Sequence, residues 1–253
     1  MFGEVSVRKR LEQGKVQIGI FMNLGSFVAA DIAGRVGFDI LILDHEHAPW
    51  DYTSSIHAMN AVRGTGAEVW ARVPAVDQAY TKRILDSGAD GVMFPMVGTR
   101  EDAERLVSYS RYAPNGIRGF APTVTRHTGY GYDREEYFRR VDEDLTIIAQ
   151  IETREGVENA EAIASVPGLD VVFLGPMDLS KSLGHPGDFK NPVVLDAIRT
   201  VEAAVKKSGK IMGTLVAVGQ DLGEIVNRGY RFIIASADIG ALRNGLESDI
   251  KRA

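Results

Sequence analysis

Short apolar runs alternate with longer stretches of helical spacing from one end of this chain to the other, and that alternation restricts it to βαβ architectures built on a parallel sheet. The runs are Val16–Phe21, Phe38–Leu43, Glu68–Val73, Gly91–Phe94, Thr146–Ile151, Val171–Leu174, Ile211–Leu215 and Phe232–Ala235. Most are apolar without alternation, as strands buried on both faces must be. Between them, sets such as Ala103, Leu106 and Val107, or Ile198, Val201, Ala204 and Val205, recur at helical spacing. Gly88, Gly168, Gly209 and Gly229 stand shortly before strands, where helix-ending glycines belong. The chain has 253 residues, close to the ~250 typical of one eight-stranded α/β barrel. No GxGxxG follows the first run, which argues against a doubly wound dinucleotide fold. The expected architecture is a (β/α)8 TIM barrel forming a single domain over residues 1–253.

One stretch breaks the rhythm. Pro114–Val141 carries Asn115-Gly116-Ile117-Arg118-Gly119-Phe120 and the tyrosines Tyr130, Tyr132 and Tyr137. An insertion of this length is usually a functional loop or an oligomer contact.

Composition narrows the functional classes. A net charge of -5 and a pI near 5.6 argue against non-specific nucleic-acid binding. The chain contains no run of 18 apolar residues to span a membrane, and Met1–Arg10 lacks the apolar core of a signal peptide. With no cysteine there is no disulfide, thiolate nucleophile or zinc–thiolate site. These features favour the cytoplasm.

In such barrels the active site forms at the carboxyl ends of the strands. Those ends carry Asp44-His45-Glu46-His47-Ala48-Pro49, Arg72-Val73-Pro74, Gln150-Ile151-Glu152-Thr153 and Gly175-Pro176-Met177-Asp178-Leu179-Ser180. Glu152 and Asp178 lie on adjacent strand ends, where two facing carboxylates call for a divalent cation. All-oxygen ligation suits Mg²⁺ or Mn²⁺. The competing structural reading makes Glu152 a helix cap and Asp178 the partner of a surface cation. Arg72, inside an apolar strand, is costly unless paired. It serves either as a salt-bridge partner of a nearby acid or as a clamp for a carboxylate or enolate oxygen, and we favour the clamp. Alternation sends Asp44 and Glu46 one way and His45 and His47 the other. Near a carboxylate, His47 can act as general base; His57, His127 and His185 suit structural roles. None of the lysines falls at the carboxyl end of a strand. Lys181 comes nearest but points to solvent from a helix, so a Schiff-base mechanism lacks its nucleophile.

In their order, Asp44-x-Glu46-His47-Ala48-Pro49, Ala71-Arg72-Val73-Pro74, Gln150-Ile151-Glu152-Thr153 and Gly175-Pro176-x-Asp178-Leu179-Ser180 resemble the motifs of the HpcH/HpaI aldolase family. Gly116-x-Arg118-Gly119, Leu183-Gly184-x-x-Gly187 and Gly229-Tyr230-Arg231-Phe232 are similar to further motifs of that family, so the resemblance runs from about Gly19 to Leu242. It implies a metal-dependent class II pyruvate aldolase on a phosphoenolpyruvate/pyruvate-binding barrel, usually hexameric, with the last helix exchanged between subunits. By motif, Glu152 and Asp178 become metal ligands for Mg²⁺, Mn²⁺ or Co²⁺. Gln150, Gly175 and the backbone around Met177 become pyruvate contacts, Arg72 the enolate stabiliser and His47 the base. The resemblance assigns Asp86 to raise the basicity of His47, whereas the reading of the residues themselves favours Asp44. Two positions depart from the motif. His45 stands where a small residue is usual, and could crowd or supplement the base. Met177 stands where alanine or serine is common, and would reshape the pyruvate pocket. Oxaloacetate decarboxylation through the same enolate is the nearest alternative. A non-catalytic barrel serving assembly is the remaining one.

Overall fold

The computed structural model describes residues 5–216 and 221–252. Residues 1–4, 217–220 and 253, over which the expected single domain and part of the Met1–Arg10 reading extend, lie outside the described residues. Eight parallel strands close into a barrel in sequence order. They are β1 (Gln17–Met22), β2 (Ile40–Asp44), β3 (Glu68–Arg72), β4 (Gly91–Phe94), β5 (Thr146–Ile151), β6 (Val171–Leu174), β7 (Ile211–Leu215) and β8 (Phe232–Ala237). Around and between them run α1 (Val7–Glu12), α2 (Phe27–Val36), α3 (Tyr52–Ala61), α4 (Gln78–Asp86), α5 (Arg100–Ser110) and α6 (Arg134–Asp144). The remaining helices are α7 (Arg154–Glu158), α8 (Ala160–Ala164), α9 (Pro176–Ser182), α10 (Pro192–Ser208), α11 (Leu222–Asn227) and α12 (Asp238–Arg252). Every expected strand is present, with ends moved by no more than two residues. The shift matters at β2, where Asp44 is the last residue of the strand and pairs in register with Arg72.

Because successive side chains on a strand point to opposite faces, each strand feeds two cores. Ile40, Ile42, Trp70, Met93, Ile148, Val171, Phe173, Phe232 and Ile234 fill the barrel interior. Leu41, Leu43, Val69, Ala71, Val92, Ile147 and Val172 pack outward against the helices. In the interior, Trp70, Phe232 and Phe173 stack with ring centroids 5.1 and 5.6 Å apart. Gly91 makes room for them, since a Cβ there would lie 2.8 Å from the Trp70 ring. The amino end of the barrel is plugged by α1, which sends Val7 and Leu11 into the interior and whose Val7 N–H donates to Glu68 Oε1 at 2.7 Å.

The second half of the insertion is helical. It holds a 3-10 turn at Arg126–Gly131 and runs into α6. Its anchor is the buried Arg118, whose guanidinium donates to Asp86 at 3.0 Å and to Tyr137 Oη at 3.1 Å. Tyr137 is buried, while Tyr130 and Tyr132 face solvent. Among the described residues no helix is long and apolar enough to cross a membrane.

Candidate active site at the carboxyl mouth of the barrel

The interior-facing parity that carries Ile42, Trp70, Ile148 and Phe173 runs on, two residues further, to Asp44, Arg72, Gln150 and Gly175. The mouth is therefore polar because each of these strands ends its interior row with a polar residue or a glycine. Asp44 is fully buried and accepts both Arg72 Nε at 2.9 Å and Arg72 Nη2 at 2.8 Å, a bidentate pair. Burial alone would raise the Asp44 pKa, but the Arg72 bonds outweigh it and hold it below the usual carboxylate range. The backbone N–H groups of Glu46 and His47 also donate to Asp44 Oδ1, at 3.2 and 3.4 Å, which shapes the turn after β2. Arg72 lies over the Phe21 ring at 4.5 Å, and its Nε is also 3.2 Å from Glu46 Oε2. Both readings of Arg72 thus survive in one geometry. Two of its nitrogens serve a salt bridge, and Nη1 has no partner among the described residues.

Glu152, 2% exposed, is aimed by two donors. The Met96 N–H reaches Oε1 at 2.8 Å, and the Gln150 amide donates to Oε2. It is not the cap of the following helix, because Thr153 Oγ1 accepts the Gly156 N–H at 3.0 Å in that role. Burial lifts its pKa to about 7, with Asp178 and Glu46 adding to the rise. Asp178 lies in the first turn of α9, exposed and without an ion pair among the described residues, so the surface-cation reading fails for this chain. Glu46 feels Asp178 as well, and burial holds its carboxyl above the usual range against the pull of Arg72. Glu46, to which the sequence assigns no role, thus belongs to the mouth as well.

The fit of a cation to this mouth can be judged from the donors. Glu152 and Asp178 offer oxygen only. Among the described residues buried Gln150 Oε1 accepts no hydrogen bond, and buried Glu46 Oε2 has only its ion-pair contact with Arg72, so polar capacity remains for a ligand. Among the described residues no group of three or more His, Cys, Asp or Glu side chains is arranged to hold a metal. The set is a pair of carboxylates, which suits a hard divalent ion that retains water or substrate oxygens. Gly175 is part of this arrangement, because a Cβ there would lie 2.6 Å from Glu152 Oε2 and 2.8 Å from Gln150 Nε2.

The histidines separate cleanly. His47 is exposed at the mouth, and its nearest carboxylate is Glu46, 3.6 Å from Nε2. Neither acid expected to assist it touches its ring within one chain. Asp44 is engaged by Arg72. Asp86 ends α4, which leads away from the mouth, and its carboxylate is held by Arg118 with His127 Nδ1 3.6 Å away. His45 neither crowds nor supplements the base. It points outward, with Nδ1 2.8 Å from Tyr80 Oη and Nε2 3.0 Å from Ser55 Oγ, and burial lowers its pKa to about 4. Met177 is half exposed.

A barrel mouth with paired carboxylates, a clamped arginine and no lysine is suited to breaking a carbon–carbon bond next to a carbonyl, and the comparisons agree. The chain belongs to the HpcH/HpaI aldolase/citrate lyase family, whose profile matches residues 17–245. It is an enzyme of the class II aldolase type, a carbon–carbon lyase. It is 38% identical over 229 residues to the 5-keto-4-deoxy-D-glucarate aldolase of Salmonella paratyphi C (strain RKS4594), covering 90% of this chain and 89% of that protein. Its structure is similar to that of an HpcH/HpaI aldolase/citrate lyase family protein from Burkholderia cenocepacia J2315, with a TM-score of 0.91 and 34% identity over 97% of this chain and 98% of that one. An HpcH/HpaI aldolase from Desulfitobacterium hafniense DCB-2 superposes with a TM-score of 0.90 and 31% identity, covering 98% and 96% of the two chains.

Proposed function

We propose that this enzyme cleaves or forms 4-hydroxy-2-oxo acids, giving pyruvate and an aldehyde, with a divalent cation held by Glu152 and Asp178. The observation that carries this reading is a buried carboxylate, Glu152, that feels the charge of Asp178, with no ion pair to either among the described residues. Mg²⁺ or Mn²⁺ fits the oxygen-only donors best, with Co²⁺ as an alternative. When bound, the cation supplies positive charge to the 2-oxo and carboxylate oxygens of the substrate.

The side chains do the rest. Gln150, held against Glu152, keeps Oε1 directed into the site, and the bare Cα of Gly175 leaves room for the oxo acid beside it. The backbone around Met177 lines the same pocket. His47 accepts the proton of the 4-hydroxyl as the C3–C4 bond breaks, releasing the aldehyde. The electron pair passes to the pyruvate half as an enolate, whose oxygen Arg72 Nη1 stabilises. Protonation at C3 completes pyruvate. Asp44 acts by fixing the arginine. Within its own subunit Asp86 ends α4 away from the mouth and is held by Arg118, so any assistance to His47 comes from a second subunit.

The relative named for 5-keto-4-deoxy-D-glucarate supports a hydroxy-oxo acid of the sugar-acid class as substrate. Assembly follows from the surface. α12 leaves Ile239, Leu242, Leu246 and Ile250 exposed, and α2 leaves Phe27, Val28, Ile32 and Val36 exposed. Two uncovered apolar stripes on one chain are accounted for when α12 of one copy covers α2 of another, in a closed homo-oligomer, most simply a hexamer. Residues 1–253 then form one domain per subunit, working in the cytoplasm.

A panel of 4-hydroxy-2-oxo acids, with pyruvate release as the readout, tests the activity. His47→Ala distinguishes the reactions sharing the enolate. It should abolish aldol cleavage while sparing oxaloacetate decarboxylation, which needs no hydroxyl base. A panel with no pyruvate release in the presence of Mg²⁺ or Mn²⁺ contradicts the reading.

A further inference from the structure

β1 ends at Met22, whose carbonyl accepts the buried Trp50 Nε1–H at 2.6 Å, and this fixes the peptide leading into Asn23. The next two backbone N–H groups, of Asn23 and Leu24, both donate to the Asp238 carboxylate, at 2.7 and 3.2 Å. Asp238 is the first residue of α12 and its one buried residue among those described. The Asn23 side chain turns towards the site, where Nδ2 donates to Asp44 Oδ2 at 2.7 Å. That oxygen is the one Arg72 Nη2 reaches at 2.8 Å.

A continuous hydrogen-bonded path therefore runs from the start of α12 through Asn23 and Asp44 to Arg72. Its parts are not interchangeable. Asp44 Oδ1 is held by the backbone of its own turn and by Arg72 Nε. Among the described residues Oδ2 is bonded by Arg72 and by Asn23, so Asn23 is the restraint on that oxygen independent of the arginine. A planar guanidinium in a bidentate pair follows the plane of its carboxylate. Rotating Asp44 thus swings Arg72 Nη1, the nitrogen without a partner among the described residues. Asp238, for its part, spends its oxygens on the loop after β1 as well as on the Ile239 N–H at 2.7 Å, so it does more than cap its own helix.

We propose that Asn23 and Asp238 are positioning residues for Arg72, setting the direction of Nη1 and tying it to the point where α12 leaves the barrel. The proposal rests on the reading of Arg72 as the enolate-stabilising group, and it adds that the seating of α12 is felt at the reacting oxygen. A ligand or partner that moves the start of α12 would then change turnover without entering the pocket.

The test is a double-mutant cycle on the metal-loaded, full-length enzyme, with kcat and KM for pyruvate release measured in the wild type, Asn23→Ala, Arg72→Ala and the double variant. Asn23→Ala should lower kcat about tenfold, the scale of one hydrogen bond to a charged group, with KM within about twofold of wild type. In the Arg72→Ala background the same change should cost nothing further. Asn23→Asp, close in shape but facing Asp44 with a like charge, should fall below Asn23→Ala, and Asp238→Ala should lower kcat in the same direction. If Asn23→Ala aggregates, Asn23→Ser, which retains a short donor, replaces it in the cycle with a smaller expected loss. Arg72→Ala with undiminished kcat would overturn the reading of Arg72 and the proposal with it. A large loss in Arg72→Ala together with a neutral Asn23→Ala, or an equal loss in both backgrounds, would overturn the positioning role alone.

Discussion

Gly175 shows how closely the mouth is built. Its φ of -94° is open to any residue, so what demands glycine is space, with Glu152 Oε2 2.6 Å and Glu152 Cβ 3.0 Å from where a Cβ would stand. Gly175→Ala should therefore displace the Glu152 carboxylate, weakening Mn²⁺ binding in calorimetry about tenfold or more while leaving the melting temperature within a few degrees. Unaltered Mn²⁺ affinity would remove Gly175 from the site. Arg72→Lys keeps the charge but loses the fork that Asp44 grips, so kcat should drop by roughly tenfold or more. A raised KM with kcat intact would make Arg72 a simple carboxylate clamp. His45 belongs to stability instead. Its folded pKa of about 4 lies below the ordinary 6.5, so the unfolded chain takes up its proton first as the pH falls. The stability held above pH 6.5 is lost progressively towards pH 4, on the order of 3 kcal/mol in all. His45→Gln can still bond Tyr80 yet has no proton to gain, so between pH 7 and pH 5 it should lose about 2 kcal/mol less than the wild type in urea unfolding. Parallel pH dependences would refute the assignment.

The strands were legible as apolar runs because both faces of each are buried, and for the same reason their parity was hidden. Ile40 to Leu43 gives no alternation to read, yet Ile42 faces the interior and Leu43 the helices. Parity is what carries Asp44, Arg72, Gln150 and Gly175 inward and turns His45 out to Tyr80 and Ser55. The strand-end positions therefore located the candidate site from sequence, while the Asp44–Arg72 clamp and the place of Glu46 needed register. α1 was also invisible, because a six-residue helix plugging the barrel has too few turns to show a period. Asp86 entered through the resemblance alone, and its hold on Arg118 depends on an insertion whose path no local rule supplies. Interior packing offers its own test. Gly91→Ala would press a Cβ to 2.8 Å from Trp70 and disturb the Trp70–Phe232–Phe173 stack, so it should cost about 2 kcal/mol in urea unfolding. A neutral result would mean that the interior has slack at that layer.

For the whole molecule, Ile239, Leu242, Leu246 and Ile250 stand at helical spacing in the sequence, but a stripe carries no label for its partner. In a lone chain the stripe is left open, with Leu246 58% and Ile250 79% exposed. Deleting the chain after Ile239 should cost both solubility and activity, and the intact protein should scatter light as an oligomer at micromolar concentration. A fully active, monodisperse monomer would overturn the assembly. The central claim is that two carboxylates, Glu152 and Asp178, hold a cation on which pyruvate chemistry depends. It is tested most directly by pyruvate release from a 4-hydroxy-2-oxo acid before chelation, after chelation, and after adding back Mg²⁺ or Mn²⁺, with Glu152→Ala and Asp178→Ala alongside. The account predicts that activity vanishes on chelation, returns with the metal, and returns in neither variant. Full activity in the chelated, metal-free enzyme would contradict it.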